Sequence, residues 1–180
     1  HVWITNSLCA KITFFKYLLL ILSSLKKIKH FNMKSRHFLL VFLLQVVAIS
    51  VQAARVDTVF VKSPSMNKDI KVVYILPDKT MAEHPQACPV IYLLHGYSGN
   101  ARSWIGLKPE LPQIADEKGI IFVCPDGKNS WYWDSPKNPA YRYETFISSE
   151  LVNYTDTHYA TIPEKRARAI SGLSMGGHGA

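Results

Sequence analysis

The chain has 180 residues, of which 48% are hydrophobic and 19% are charged. This composition excludes a disordered or low-complexity protein and fits one globular domain with an additional segment. The formal net charge is +8 at pH 7, but residues 1–53 contain seven Lys or Arg and no Asp or Glu. Residues 54–180 hold 14 basic and 13 acidic residues, so this part lacks the excess positive charge of a nucleic-acid-binding surface.

Residues 33–53 have the three parts of a secretory signal peptide. A cationic run at residues 33–37 precedes an almost wholly apolar run at residues 38–51. The small residues Val51 and Ala53 stand at the two positions that a signal peptidase reads. The apolar run has about 14 residues, fewer than the roughly 20 that a membrane-spanning helix needs. We therefore expect cleavage after Ala53 and export, which would make the protein secreted or periplasmic.

Residues 1–32 precede this signal peptide and allow two interpretations. The sequence begins with a histidine rather than a methionine, and a second apolar run lies within these residues. One interpretation is a two-helix membrane anchor. The other, which we favour, is that translation begins at Met33 and that the preceding stretch is conceptual translation of upstream DNA. The expected organisation is a doubtful segment at 1–32, a signal peptide at 33–53 and a folded domain at 54–180.

The folded segment alternates apolar strands with amphipathic helices. Two β-branched runs near its start predict an antiparallel pair of strands. Later strands are continuous apolar runs, as expected where both faces of a sheet are covered. The predicted strands lie at residues 56–61, 70–76, 89–94, 120–124 and 167–171, and the predicted helices at residues 111–118 and 143–158. This order predicts an α/β fold, with a mainly parallel sheet and helices on both faces.

The folded segment contains two cysteines, Cys88 and Cys124. Cys88 precedes one predicted strand, and Cys124 ends another. If these strands are parallel neighbours, the two residues lie at opposite ends, about five residues apart at about 3.3 Å per residue. A disulfide requires Cα atoms within about 7 Å of each other. We therefore expect two free, mostly buried thiols.

Residues 172–176, Gly-Leu-Ser-Met-Gly, match the pattern G-x-S-x-G between an apolar strand and a run of small residues. In this pattern the serine sits on a sharp turn between a strand and a helix. Larger side chains at the two glycine positions would clash with the neighbouring strand and helix. The turn exposes the serine hydroxyl, and we predict that Ser174 is a catalytic nucleophile.

His95-Gly96-Tyr97 follows the predicted strand at residues 89–94 and forms a second candidate element. Acyl transfer creates a negatively charged oxygen, which preorganised main-chain N–H groups stabilise. We predict that the amides of Tyr97 and Met175 form this oxyanion hole. We expect the strand that carries the loop to lie next but one to the strand that leads into Ser174.

The segment Trp131-Tyr132-Trp133 lies in the long loop after the predicted strand at residues 120–124. This loop leaves the same edge of the sheet as Ser174. Aromatic faces at that edge can line an acyl pocket or stack against a sugar ring, so we predict Trp131 and Trp133 as substrate-binding residues. The alternative is that these residues only pack the loop.

Three segments, YLLHGYSG, CPDG…SWYWDSP and AISGLSMGGHGA, together resemble the esterase D-type branch of the α/β-hydrolases. This branch includes tributyrin esterases, S-formylglutathione hydrolases, feruloyl and acetyl-xylan esterases and mycolyltransferases. The resemblance extends over residues 56–180. It implies an α/β-hydrolase fold, Ser174 as nucleophile, Tyr97 and Met175 as the oxyanion hole, and no requirement for a metal or another cofactor.

The sequence departs from this family after the nucleophile. In α/β-hydrolases the acid and the histidine of the triad follow the nucleophile along the chain, whereas six residues follow Ser174 here. His178 is one helical turn further on, but its side chain should point back along the helix rather than over the hydroxyl. We expect a C-terminally truncated domain with an incomplete fold. The isolated segment 54–180 should be inactive and prone to aggregation.

The leading functional hypothesis is a serine carboxylesterase that hydrolyses short acyl or aryl esters, with acetylated and feruloylated polysaccharides among the candidate substrates. A thioesterase of the S-formylglutathione hydrolase type is an alternative, although a signal peptide argues against a cytosolic substrate. A non-catalytic binding protein on the same fold is a further alternative. The expected partner is a small-molecule or carbohydrate ester rather than nucleic acid, and contact with the membrane is expected only during export.

Overall fold

The computed structural model describes residues 54–180, so the predictions for residues 1–32 and 33–53 lie outside the described part of the chain. The strands are β1 (Arg55–Ser63), β2 (Lys68–Leu76), β3 (Val90–Leu94), β4 (Ile121–Pro125) and β5 (Arg168–Gly172). The α-helices are α1 (Ser103–Leu107), α2 (Leu111–Lys118), α3 (Tyr143–Thr145), α4 (Leu151–His158) and α5 (Met175–Gly179). A π-helical turn, Phe146–Glu150, joins α3 to α4, and 3-10 turns lie at Asp78–Thr80 and Lys165–Ala167.

The strands form one mixed sheet in the order β1-β2-β4-β3-β5. β2 is antiparallel to both β1 and β4, so one side of the sheet contains the hairpin that the sequence predicts. β3 lies between β4 and β5 and is parallel to both. The predicted α/β fold is confirmed, with antiparallel pairing on one side of the sheet and parallel pairing on the other.

Helices cover both faces of the sheet, because alternate residues of each strand point to opposite faces. Tyr74, Tyr92 and Val123 pack on one face in a cluster that includes residues of α3, α4 and the π-helical turn. Ile75 and Phe122, each one residue away in sequence, pack on the other face with residues of α1 and α2. None of the helices in residues 54–180 is long and apolar enough to cross a membrane.

Helix α2 begins and ends at the residues that the sequence predicts. A proline in its first turn costs no hydrogen bond, since N–H groups there lack partners within the helix. Gly119 ends the helix in a left-handed conformation with φ of 62°, which glycine adopts without steric penalty. Local residue chemistry therefore determines both ends of this element.

The helix predicted at residues 143–158 is present, but a π-helical turn interrupts its regular geometry. A π turn contains an additional residue and rotates the following turns about the helix axis. Thr155 is buried, while His158 is exposed. In the interior, the Thr155 hydroxyl lies 2.9 Å from the Tyr74 hydroxyl.

Cys88 and Cys124 are both free and buried, as predicted. They lie in the two different core clusters, so the sheet itself separates their sulfur atoms. Burial raises the pKa of both thiols, that of Cys124 to about 12.

The expectation that another strand separates β3 from β5 is wrong. The two strands are direct neighbours, with Leu94 opposite Gly172 in the register. The chain crosses from β3 to β4 on one side and then returns to place β5 on the other side, which leaves β3 in the middle. As a result, the loop after β3 and the turn after β5 leave the sheet side by side.

Candidate active site

Ser174 lies on the turn between β5 and α5. Its φ of 52° and ψ of −115° are strained for a residue other than glycine. The residue is exposed, and its side chain makes no capping hydrogen bond to α5. The hydroxyl is therefore presented at the carboxyl edge of the parallel strands rather than used to stabilise the helix.

The two glycines of the G-x-S-x-G pattern permit this turn. A Cβ atom at Gly172 would lie 2.1 Å from the main-chain carbonyl carbon and oxygen of Gly176. A Cβ atom at Gly176 would lie 2.3 Å from the carbonyl oxygen of Leu94, at the end of β3. Both distances are far below the roughly 3.5–4.0 Å of optimal atomic contact. A larger residue at either position would force α5 away from the sheet.

The loop after β3 lies against the Ser174 turn. A Cβ atom at Gly96 would be 3.3 Å from the carbonyl oxygen of Leu173 and 3.7 Å from the Cβ atom of Ser174. Leu173 also donates its main-chain N–H to the Leu94 carbonyl oxygen at 3.1 Å. The structure thus brings together two sequence motifs that lie almost 80 residues apart.

The main-chain N–H groups of Tyr97 and Met175 are available at this junction. Met175 is the first residue of α5, where N–H groups have no partner within the helix. The N–H groups of Ser98 and Gly99 both donate to acceptors nearby. The N–H of neighbouring Tyr97 has no acceptor among the hydrogen bonds of residues 54–180. The oxyanion-hole role of both amides stays a prediction, with their donors free to bind a ligand oxygen.

His95 supports the loop after β3 from the interior of the protein. Its ring is buried, with Nδ1 2.7 Å from the Gly96 carbonyl oxygen, and Nε2 accepts a hydrogen bond from the Gly127 N–H at 3.0 Å. We assign the ring proton to Nδ1, because a carbonyl oxygen only accepts hydrogen bonds. His95 therefore connects the loop after β3 to the loop after β4, and neither ring nitrogen is left to serve as a general base.

Tyr132 holds the same loop through its hydroxyl group. The phenol oxygen accepts a hydrogen bond from the His95 N–H at 2.9 Å and donates one to the His95 carbonyl oxygen at 3.2 Å. Its side chain fills the space beside Gly127 and Gly179, where added Cβ atoms would lie 2.1 Å and 2.4 Å from Tyr132 atoms. One buried side chain thus contacts the loop after β3, the loop after β4 and helix α5.

This contribution of Tyr132 is not visible in the sequence. Trp131 and Tyr132 both have left-handed backbone conformations, with φ of 57° and 56°, although neither is a glycine, asparagine or aspartate. The residue types around them therefore give no signal that the chain turns the tyrosine inward. The sequence distinguishes only a group of three aromatic residues in a loop.

Asp126 stabilises the turn after β4. Its carboxylate lies 2.8 Å from Lys128 Nζ and accepts the Lys128 main-chain N–H at 3.0 Å. Burial raises the pKa of this carboxyl group, but hydrogen bonding with Lys128 and the positive charge of its ammonium group lower it by more, so the pKa lies below its usual range. The ionised carboxylate helps to hold Gly127 in its position beside His95.

Three rings border the site and form what we call the aromatic rim: Tyr97, Trp131 and His178. The ring centroid of Trp131 is 6.5 Å from that of Tyr97 and 5.5 Å from that of His178. Tyr97 and Trp131 are 60% and 47% exposed, so their faces are accessible to a ligand. Trp133 is also exposed, at 54%, but the structure does not place it in this group of rings. Its predicted role in substrate binding stays a prediction.

The side chain of His178 contacts Trp131. Its Nδ1 lies 3.2 Å from the Trp131 carbonyl oxygen, and its ring packs edge-on against the Trp131 ring. Within residues 54–180, no imidazole is hydrogen-bonded to the Ser174 hydroxyl.

A family model described as Putative esterase matches residues 63–180. The acetyl esterase of Caldicellulosiruptor saccharolyticus is 31% identical over 125 residues, which are 66% of this chain and 46% of that protein. A solved structure of a ferulic acid esterase is 30% identical in sequence, with a TM-score of 0.61. The match covers 71% of this chain and 51% of the esterase chain. The structure of an S-formylglutathione hydrolase from Agrobacterium tumefaciens is 22% identical in sequence, with a TM-score of 0.60. The match covers 71% of this chain and 55% of the hydrolase chain. The chain thus spans only about half the length of these proteins.

Proposed function

Because this chain belongs to the family described as Putative esterase, we propose that it forms the nucleophile-bearing part of a serine esterase, with Ser174 as the nucleophile. The match and the structural neighbours confirm the resemblance and the α/β-hydrolase fold predicted from the sequence. One observation carries the assignment of Ser174. Its exposed hydroxyl lies on a strained turn in contact with the loop that bears the Tyr97 amide. Such strain costs about 1–3 kcal/mol and is concentrated at functional sites.

In the proposed reaction, the Ser174 oxygen attacks the ester carbonyl carbon while its proton passes to a general base. The carbonyl oxygen becomes an oxyanion that accepts hydrogen bonds from the N–H groups of Tyr97 and Met175. Collapse of this intermediate releases the alcohol, which takes the proton from the base, and leaves the acyl group on Ser174. Water then releases the carboxylic acid and restores the hydroxyl. We assign the base to a histidine outside residues 54–180.

We propose short acyl or aryl esters, including esters on carbohydrate, as the substrate class. The exposed faces of Tyr97 and Trp131 are suited to stacking against an aromatic acyl group or a sugar ring. Similar proteins include one named acetyl esterase and one named ferulic acid esterase. A thioesterase function has less support. The S-formylglutathione hydrolase is 22% identical to this chain, and a similarity at that level shows a shared fold but not a shared reaction.

The test of this function is Ser174→Ala in the complete gene product, with p-nitrophenyl acetate as substrate. We expect the substitution to lower turnover by about 10⁴-fold or more, because the acyl-enzyme cannot form. Ser171→Ala is the matched control, since Ser171 is also exposed and lies three residues earlier on β5. A fluorophosphonate probe should label the wild type and the control but not Ser174→Ala.

Two results would reject the esterase assignment. One is turnover that survives the loss of the Ser174 hydroxyl. The other is a folded wild-type protein that neither hydrolyses esters nor reacts with the probe, which would favour a non-catalytic binding protein on the same fold.

We also propose that residues 33–53 direct the protein to the periplasm or the medium and are then removed. The order of a cationic run, an apolar run and small residues supports this proposal. The N-terminal sequence of the exported protein tests it.

A further inference from the structure

Asp116, on α2, holds the first described residue of the folded domain. Ala54 donates its main-chain N–H to Asp116 Oδ2 at 2.6 Å, across 62 positions of sequence. The other carboxylate oxygen, Oδ1, accepts the main-chain N–H of Asp78 at 2.8 Å. Each oxygen of this half-buried carboxylate thus contacts a main-chain nitrogen. One of those nitrogens belongs to the residue directly after the expected cleavage site.

The side chain of Ala54 is anchored as well as its nitrogen. Ala54 is 6% exposed and packs in the core cluster that contains Ile75, Leu111 and Ala115. These contacts hold the residue between the sheet and α2. They involve the side chain alone, so they are equally available before and after the preceding peptide bond is cleaved.

We propose that Asp116 is the binding site for the α-ammonium group that cleavage between Ala53 and Ala54 creates. This inference rests on the proposed export and not on the ester chemistry. Hydrolysis breaks the amide bond, and water supplies a hydroxyl to the Ala53 carbonyl carbon and a hydrogen to the Ala54 nitrogen. The amine takes a further proton from solvent at neutral pH. The contact between an amide and a carboxylate then becomes an ion pair, which is a stronger class of hydrogen bond.

The surroundings favour a cation at this position. Asp116 is half-buried, so solvent and salt screen its charge less than that of an exposed carboxylate. Burial raises the pKa of Asp78, and the neighbouring Asp116 carboxylate raises it further, which shows that a second acidic group lies close by. The Asp116 carboxylate, which contacts the Ala54 nitrogen directly, therefore supplies negative potential at this position.

The ion pair would stabilise the start of the sheet. Ala54 directly precedes β1, which is the edge strand of the described sheet and pairs with β2. The pair connects the beginning of this edge strand to α2 and, through Oδ1, to the main chain at Asp78, just after β2. Removal of the leader thus strengthens a contact that the folded domain already makes.

The first experiment expresses the complete gene product, including its leader, in a secreting bacterium. Mass spectrometry and N-terminal sequencing of the exported protein should show that it begins at Ala54. Retention of the leader, or a start at any residue other than Ala54, would overturn the inference, because no ammonium group on Ala54 would then lie beside Asp116.

The second experiment compares the thermal unfolding of exported wild-type protein, Asp116→Asn and Glu117→Gln. Glu117 is the next residue of α2 and is exposed, so its variant loses the same charge without the contact to Ala54. We expect Asp116→Asn to lower Tm by about 2–4 °C and Glu117→Gln to lower it by less than about 1 °C. Equal changes in the two variants would contradict the proposal.

Selective acetylation of the α-amine near pH 6.5, where Lys side chains stay protonated, isolates the ion pair. Acetylation keeps an N–H on Ala54 and removes its positive charge. It should lower the Tm of the wild type and of Glu117→Gln and leave Asp116→Asn unchanged. No fall in the wild type overturns the proposal, even if Asp116→Asn fails to fold. None of these measurements uses ester hydrolysis, so failure of the proposed function would leave them unaffected.

Discussion

A serine with φ of 52° keeps that conformation only where its surroundings exclude the alternatives. At Ser174 the surroundings are two glycines, which let α5 approach the ends of β5 and β3 without a clash. The residue pattern predicts this turn because few other residue types fit at Gly172 and Gly176. The residues that support the opposing loop follow no such pattern. His95 and Tyr132 reach it through hydrogen bonds between distant parts of the chain.

Tyr132→Phe should separate positioning of the loop from binding of substrate. The substitution removes the hydroxyl that bonds both the N–H and the carbonyl oxygen of His95. The loop that bears the Tyr97 amide would then be held less well, so we expect kcat to fall by about 10-fold with little change in KM. Steady-state kinetics of the complete gene product measure both constants.

Tyr141→Phe is the control for this substitution, because Tyr141 is exposed and its variant loses the same atom. We expect its kcat to equal that of the wild type. A rise in KM without a change in kcat for Tyr132→Phe would mean that the hydroxyl acts in substrate binding instead.

For single elements, sequence patterns predict where a helix lies along the chain better than they predict its backbone geometry. The bounds of α2 agree with the prediction, since a proline in the first turn and Gly119 at the end act over a few residues. The helical segment at residues 143–158 also lies where predicted, but no residue pattern in the sequence predicts its π-helical turn. The formation of such a turn depends on how the helix packs against the sheet.

Gly176→Ala should disrupt the packing of α5 on β3. The new Cβ atom would lie 2.3 Å from the Leu94 carbonyl oxygen, which main-chain atoms cannot easily relieve. We expect the free energy of unfolding to fall by about 3 kcal/mol and fluorophosphonate labelling of Ser174 to be lost. Urea denaturation measures the first effect, and a labelling assay measures the second.

Gly106→Ala provides the matched control. Gly106 lies within α1 with open space around its Cβ position, so alanine should raise stability by about 0.5–1 kcal/mol. If Gly176→Ala were as stable as the wild type, the contact between α5 and β3 would not restrict the size of the side chain at this position.

For the whole molecule, one sheet organises both the interior and the site. Its two faces carry separate core clusters, and its carboxyl edge carries the Ser174 turn and the loop after β3. Several titratable side chains are buried in these clusters. Burial raises the pKa of Tyr92, Tyr143 and Cys124, each to about 12.

These buried groups predict a loss of stability at alkaline pH. In the unfolded chain they ionise at their ordinary pKa values, about 10 for Tyr and about 8.5 for Cys, while the folded protein keeps them neutral. Their contribution is therefore fully present below about pH 8 and is lost as pH rises toward 12. The free energy of unfolding, measured by urea denaturation at pH 7, 9 and 11, should fall steadily above pH 9.

Tyr92→Phe should reduce the fall between pH 9 and pH 11, because one ionising group is removed from the interior. Tyr141→Phe removes an exposed phenol and should leave the fall unchanged. A free energy of unfolding that is the same at pH 9 and pH 11 would mean that these side chains ionise equally in both states.

The sequence by itself determined the features that depend on a few adjacent residues. These are the positions of the strands and of α2, the two free thiols and the G-x-S-x-G turn, which follow from hydrophobic period, helix ends and the small size of glycine. Tertiary structure alone decided that β3 and β5 are neighbours, that Tyr132 turns inward beneath the loop after β3, and that Ala54 meets Asp116. These contacts join residues 37 and 62 positions apart in two of the three cases. A local pattern carries no information on which distant segments meet, because that choice depends on how all the elements pack together.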